Sequence, residues 1–100
     1  MTLSIAKDAW VYAVISHPGE NEKLTGFHDQ KGTTFIPILK TKNEGEGFLG
    51  YMPREPGIRY EVQAIIFEDV VKYAGENGCM VYLVNEKGEI LEEGSPEAVQ

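Results

Sequence analysis

The sequence holds one cysteine, Cys79, among its 100 residues, so no internal disulfide can form and the chain is unlike the small secreted scaffolds that replace a core with cross-links. Serine is almost as scarce. Only Ser4, Ser16 and Ser95 are present, and none sits in the Gly-x-Ser-x-Gly turn that exposes a hydrolase nucleophile. Basic residues number nine and are scattered, which argues against a nucleic-acid partner, because phosphate affinity rests on clustered Lys and Arg. Long apolar runs are missing too. Residues 10–15 fall far short of the roughly 18 to 20 needed to span a bilayer, and Lys7 and Asp8 interrupt any signal-peptide core. No internal repeat or low-complexity stretch occurs. The expectation is a cytoplasmic protein with no membrane partner.

What is present suits one globular domain: 42% of residues are hydrophobic and 25% charged. The net charge of −7 has a location. Residues 1–60 balance, whereas residues 61–100 set only Lys72 and Lys87 against Glu61, Glu68, Asp69, Glu76, Glu86, Glu89, Glu92, Glu93 and Glu97. An electrostatic partner is therefore expected to be basic and to meet the C-terminal part.

Apolar patterning places the elements. Trp10-Val11-Tyr12-Ala13-Val14-Ile15-Ser16-His17 is aromatic and β-branched and is closed by Pro18-Gly19, which predicts a buried strand. Residues 24–28 alternate as a short strand, Asp29-Gln30-Lys31-Gly32 makes a turn, and residues 33–39 form the partner strand. Pro37 lacks a ladder donor, so that strand is expected at a sheet edge or with a bulge. Thr41-Lys42-Asn43-Glu44 has the form of a capping box, but Gly45, Gly47 and Gly50 oppose a helix and leave room for at most two frayed turns. Residues 59–66 alternate with the period of a strand, while a competing helical reading puts Val62, Ile65, Ile66 and Val70 on one face. Phe67, Val70, Val71 and Ala74 recur at helical spacing, giving a main helix over 67–77 with Gly78 as its cap. A central strand over 79–84, an Asn85-Glu86-Lys87-Gly88 turn and a short strand over 89–91 follow. The expected fold is α+β: a mostly antiparallel sheet of five to six short strands over residues 1–91, with the main helix and room for a second short one packed on one face. Residues 92–100 read as an acidic mobile tail.

Chemical motifs fail in context. Gly45-Glu46-Gly47-Phe48-Leu49-Gly50 matches G-x-G-x-x-G, yet it does not form a strand-to-helix turn, and Glu44 and Glu46 would place carboxylates beside a phosphate. His17, His28 and Cys79 are too far apart in sequence for paired zinc ligands. Ser16 and His17, adjacent on a strand, point to opposite faces. Asp69, at the start of the main helix, suits electrostatic support of that helix better than acid catalysis. Lys87 takes a place that a calcium loop needs for an oxygen ligand. No catalytic residue, cofactor or metal is assigned.

The Trp10–Ile15 strand, Phe35-Ile36-Pro37-Ile38-Leu39, the helix opening Phe67-Glu68-Asp69-Val70 and Gly78-x-x-Val81 leading to Asn85 together resemble the SseB-type small bacterial domains, or an uncharacterised bacterial family of similar layout, over roughly residues 10–91. Leu39-Lys40 stands where that family carries Phe-Thr or Phe-Ser. The resemblance implies a small α+β domain and supplies no catalytic residues. The functional expectation is a non-enzymatic protein-interaction or regulatory module. Self-association or partner binding would use Phe35 and Ile38 on the Pro37 strand, or Tyr51, Met52, Arg54 and Arg59, a run of interface-prone types stiffened by prolines. The alternative is a small-ligand-binding domain with a pocket between helix and sheet near Trp10, Tyr60 and Tyr73.

Overall fold

The computed structural model describes residues 3–95. Along them run β1 (Trp10–Ser16), β2 (Lys23–Leu24), β3 (Phe27–His28), β4 (Thr34–Ile38), α1 (Lys42–Tyr51), β5 (Tyr60–Ile66), α2 (Phe67–Glu76), β6 (Met80–Val84) and β7 (Ile90–Gly94). The fold is α+β, with sheets ordered β2-β1-β5 and β3-β4-β6-β7, antiparallel except for the parallel pair of β4 and β6. β1 and β4 touch at one place. There Tyr12 and Leu39 exchange two backbone hydrogen bonds of 2.9 Å, which join the sheets edge to edge.

Away from that seam the two strands part, and residues 23–28 fill the opening. The segment expected as one strand is therefore split: Leu24 pairs with Ile15 of β1, Phe27 pairs with Phe35 of β4, and Thr25 N–H between them donates to Val14 C=O. This split also corrects the placement of Pro37, which lies inside the sheet and is almost fully buried. Leu39 bonds to β1 through both its N–H and C=O, so alternate residues of β4 turn the same way and the Pro37 nitrogen faces the gap between β3 and the seam. A missing donor costs nothing where no acceptor is in register.

Both faces of the joined sheet are covered, so the expectation of helices on one face is also corrected. One face sets Val11, Ala13, Ile36, Ile38, Val81 and Leu83 against Phe67, Val70 and Ala74 of α2. The other sets Val14, Phe35, Leu39, Tyr82 and Val84 against Phe48 of α1 and Met52 beyond it. This two-sided burial explains why β1, β4 and β6 read as continuous apolar runs.

α1 has ten residues, more than its glycines suggested. Thr41 Oγ1 accepts from Glu44 N–H at 3.1 Å and donates to Glu44 Oε1 at 3.1 Å, a reciprocal cap. Gly45 opposes the helix by propensity but is needed for packing. A Cβ there would stand 2.7 Å from Val62 Cγ1, so only glycine lets α1 lie this close to β5. The G-x-G-x-x-G run is thus the body of a helix.

Residues 60–66 are strand, paired with β1 from Ser16↔Tyr60 to Trp10↔Ile66. α2 follows without a linker and without a side-chain cap. Its first N–H groups are satisfied from the N-terminal segment instead, Phe67 by Ala9 C=O at 2.8 Å and Glu68 by Lys7 C=O at 3.0 Å. At the other end Gly78 has φ +68°, and Cys79 N–H donates to Ala74 C=O at 2.8 Å, a Schellman closure.

β7 runs on to Gly94, past the point where the tail was expected to begin. The acidic composition of this stretch hides a strand held on both sides. Gly94 pairs with Val81 and is buried under the Leu3 side chain, and Glu92 Oε1 accepts from Ser4 N–H and Oγ at 3.0 and 3.1 Å. Ser4 is therefore anchored as well. The remainder of the expected tail, residues 96–100, lies outside the described residues.

The glycines of α1 separate packing from propensity. Gly50 has open space around its Cβ position, so Gly50→Ala is expected to stabilise the protein by about 0.5 kcal/mol. Gly45→Ala, forced against Val62, is expected to destabilise it by about 1–3 kcal/mol. Urea unfolding of the two variants measures both signs.

Candidate functional site

Of the residues expected to form an interaction surface, Phe35, Ile38 and Met52 are buried in the two cores and present no surface. The reason is the strand order, which puts β4 between β3 and β6 instead of at an edge. Tyr51 is 68% exposed at the end of α1. Arg54 is engaged at the same helix end, donating to Leu49 C=O from Nε at 3.1 Å and from Nη2 at 2.7 Å. Arg59 lies exposed before β5, and its C=O accepts from His17 N–H. These residues cap and connect, and they do not converge.

The open edge is on β5. Tyr12 spends its N–H and C=O on Leu39, and Val14 C=O accepts from Thr25, so the even-numbered residues of β1 face away from β5. Their cross-strand partners Ala64 and Val62, and Tyr60 opposite Ser16, form the non-bonded pairs of the antiparallel ladder. Their N–H and C=O groups therefore point outward, with no backbone partner among the described residues. The same residues put their side chains on the α1 face. α1 covers that face at Tyr12 and Val62, where Gly45 packs, and leaves Ala64 exposed beside Trp10, which is 62% exposed and paired across the ladder with Ile66.

On the opposite face, a groove of about 250 Å³ lies between β5 and α2. Ile15, Leu24 and Ile65 make its apolar floor, and Glu22, Gln63, Asp69 and Tyr73 surround it, with Lys23 at one end. Glu22 Oε2 accepts from Gly19 N–H at 2.8 Å and from Gln63 Nε2 at 3.3 Å. The expected pocket near Trp10, Tyr60 and Tyr73 is thus two surfaces. Tyr73 borders this groove, while Trp10 and Tyr60 lie on the other side of the sheet.

A second cavity, of about 510 Å³, lies beside the β3–β4 turn and is bordered by His28, Asp29, Lys31, Ile90 and Glu93. Its Asp29 carboxylate is already committed. Asp29 Oδ1 accepts from Lys31 and Thr33 N–H, both at 2.9 Å, and Oδ2 accepts from the Tyr82 hydroxyl at 3.1 Å. The Thr33 bond, with help from Tyr82 and Lys31, holds the Asp29 carboxyl below its ordinary range. Burial, the bond to Asp29 and the nearby Glu93 charge push the Tyr82 hydroxyl up to about 12. The Tyr82 ring stacks on Phe35 at 4.5 Å, so Asp29 ties the turn to the core beneath α1.

Among the described residues no three His, Cys, Asp or Glu side chains gather as metal ligands, and no helix is long and apolar enough to cross a membrane. Ser16 Oγ is directed at Lys23 C=O, and burial raises the Cys79 thiol above its ordinary value. No family model, curated protein or solved structure matches the chain, so the likeness to SseB-type domains rests on the residues quoted for it.

Tyr82, through its burial first and its bond to Asp29 second, has a pH signature. The folded state raises the Tyr82 value from 10.0 to about 12, so its contribution is complete below pH 10.0 and is lost as pH rises toward 12. Alkaline unfolding is expected to show this decline. Tyr82→Phe should remove it and cost about 1 kcal/mol near neutrality, measured by urea unfolding across that pH range.

Proposed function

We propose that the protein is a non-enzymatic interaction module that receives an extended segment of another protein along the outer edge of β5. The observation that carries this reading is the outward N–H and C=O groups of Tyr60, Val62 and Ala64, flanked by exposed Trp10. An added strand would satisfy these groups at roughly 0.5–1.5 kcal/mol per bond and would cover the tryptophan, the side chain most often dominant at interfaces. The opposite edge is built differently. β7 carries Glu92 and Glu93, and its pairing with β6 shifts register at Leu83/Val84, devices that discourage pairing.

A second copy is a poorer partner than a foreign segment. Pairing β5 with β5 would bring two sets of Glu22, Glu61 and Asp69 together on one face, where like charges repel. The partner segment is therefore expected to be free of acid on that face.

Hydrogen exchange tests the edge directly. In the free protein the Val62 and Ala64 amides should exchange fast while those of Ala13 and Ile15, bonded within the ladder, stay protected. A synthetic peptide of alternating Val and Thr, as long as β5, should protect Val62 and Ala64. Ala64→Pro removes only an outward donor, so it should abolish the peptide's protection of the remaining reporter, the Val62 amide, and leave the ladder intact. Fast exchange at Val62 and Ala64 in the presence of such peptides refutes the proposal, and a concentration-dependent dimer by light scattering replaces it with self-pairing.

A further inference from the structure

Resting on the reading of β5 as a docking edge, we infer that the groove between β5 and α2 is the anchor site for one long basic side chain, Lys or Arg, carried by the docked strand. A strand paired outside β5 lies about 4.8 Å from it, and its side chains opposite Gln63 and Ile65 project onto the α2 face. To enter the groove they must first cross β5. Short side chains end over Gln63, whereas the stem of Lys or Arg passes Gln63 onto Ile65 and brings its charged end toward the Glu22 carboxylate, which lies against Gln63.

The rim selects the charge at the end of that stem. Glu22 uses only Oε2 for its bonds to Gly19 and Gln63, which leaves Oε1 without a protein partner among the described residues. The Asp69 carboxylate, on the same rim, has neither a hydrogen-bond nor an ion-pair partner among them. Glu61 adds to the negative field, with Oε2 3.4 Å from Gln63 Nε2, and Lys23 is the single opposing charge at the groove. An apolar channel ending at two available carboxylates fits an ammonium or guanidinium on an aliphatic stem. It does not fit an anion or a purely apolar chain. Of the acidic groups in residues 61–100, Glu61 and Asp69 act here, joined by Glu22 from before β2.

Asp69 also stands in the first turn of α2, where a carboxylate supports the helix dipole. A purely structural role would change stability and leave peptide affinity alone. Two fluorescent peptides of alternating Val and Thr separate the roles, one with a central Lys and one with norleucine at that position. The Lys peptide is expected to bind about 5-fold more tightly at low salt, with the advantage falling as salt is added. Glu22→Gln/Asp69→Asn should erase the advantage without weakening the norleucine peptide. Equal affinities, with Val62 and Ala64 protected by both peptides, overturn the anchor and leave the docking edge standing. If neither peptide protects those amides, the edge reading fails and the anchor with it.

Discussion

Two hydrogen bonds between Tyr12 and Leu39 hold the whole sheet together, and most other features of the molecule follow from them. By occupying the Tyr12 backbone on one side they assign the alternate residues of β1 to β5, and so determine which groups of β5 are left facing outward. They also pin β4 to β1 at one end only. The strands then diverge, and the divergence creates the gap that residues 23–28 fill and that Pro37 needs. A seam this narrow holds because Leu39 is fully buried at it and Val14 and Phe48 belong to the same core.

The seam also explains the order of layers. Once β1 and β4 share one surface, each strand of the joined sheet has two faces to cover, and α1 and α2 take one each. α2 starts directly at the end of β5, where no residue is free to act as a side-chain cap. Carbonyls of Lys7 and Ala9 complete its first turn, which ties the segment before β1 to the junction after β5. The end of the open edge is therefore the best-fastened part of β5, held by the β1 ladder and by these two bonds together.

Elements were legible in the sequence where the pattern is local. The β1, β4 and β6 runs, the spacing of Phe67, Val70, Val71 and Ala74, the Thr41 cap and the Gly78 terminus are each readable within a few residues. The α+β class follows from their order. Features that depend on who lies beside whom were not legible. Gly45 looks like a helix breaker until Val62 is found 2.7 Å from its missing Cβ, and the acid of Glu92 and Glu93 masks a strand until Leu3 is seen on Gly94. Pro37 signals a missing donor but not the gap that tolerates it. Placing the edge at Pro37 made Phe35 and Ile38 look available, whereas the true edge is β5, where the alternation of Tyr60, Val62 and Ala64 gave no sign that their backbone groups are left unpaired. The one usable signal was charge: the excess acid begins at Glu61, inside the edge strand.

That charge is not spread evenly around the strand. Glu61, Gln63 and Asp69 belong to the α2 side of β5, together with Glu22, while Tyr60, Val62, Ala64 and Ile66 share the α1 side with Trp10. A strand alternates its side chains in the same way, so anything that pairs with β5 meets apolar surface on its α1 face and the carboxylates of Glu22, Glu61 and Asp69 on its α2 face. At the other end of the sheet, Glu92 and Glu93 of β7 place a carboxylate on each face of the edge strand, where they disfavour pairing with another strand, an acidic one most of all. The same excess of acid therefore has two effects set by position. On β7 it guards both faces of the edge strand, and on β5 it stands on one face only, beside unpaired backbone.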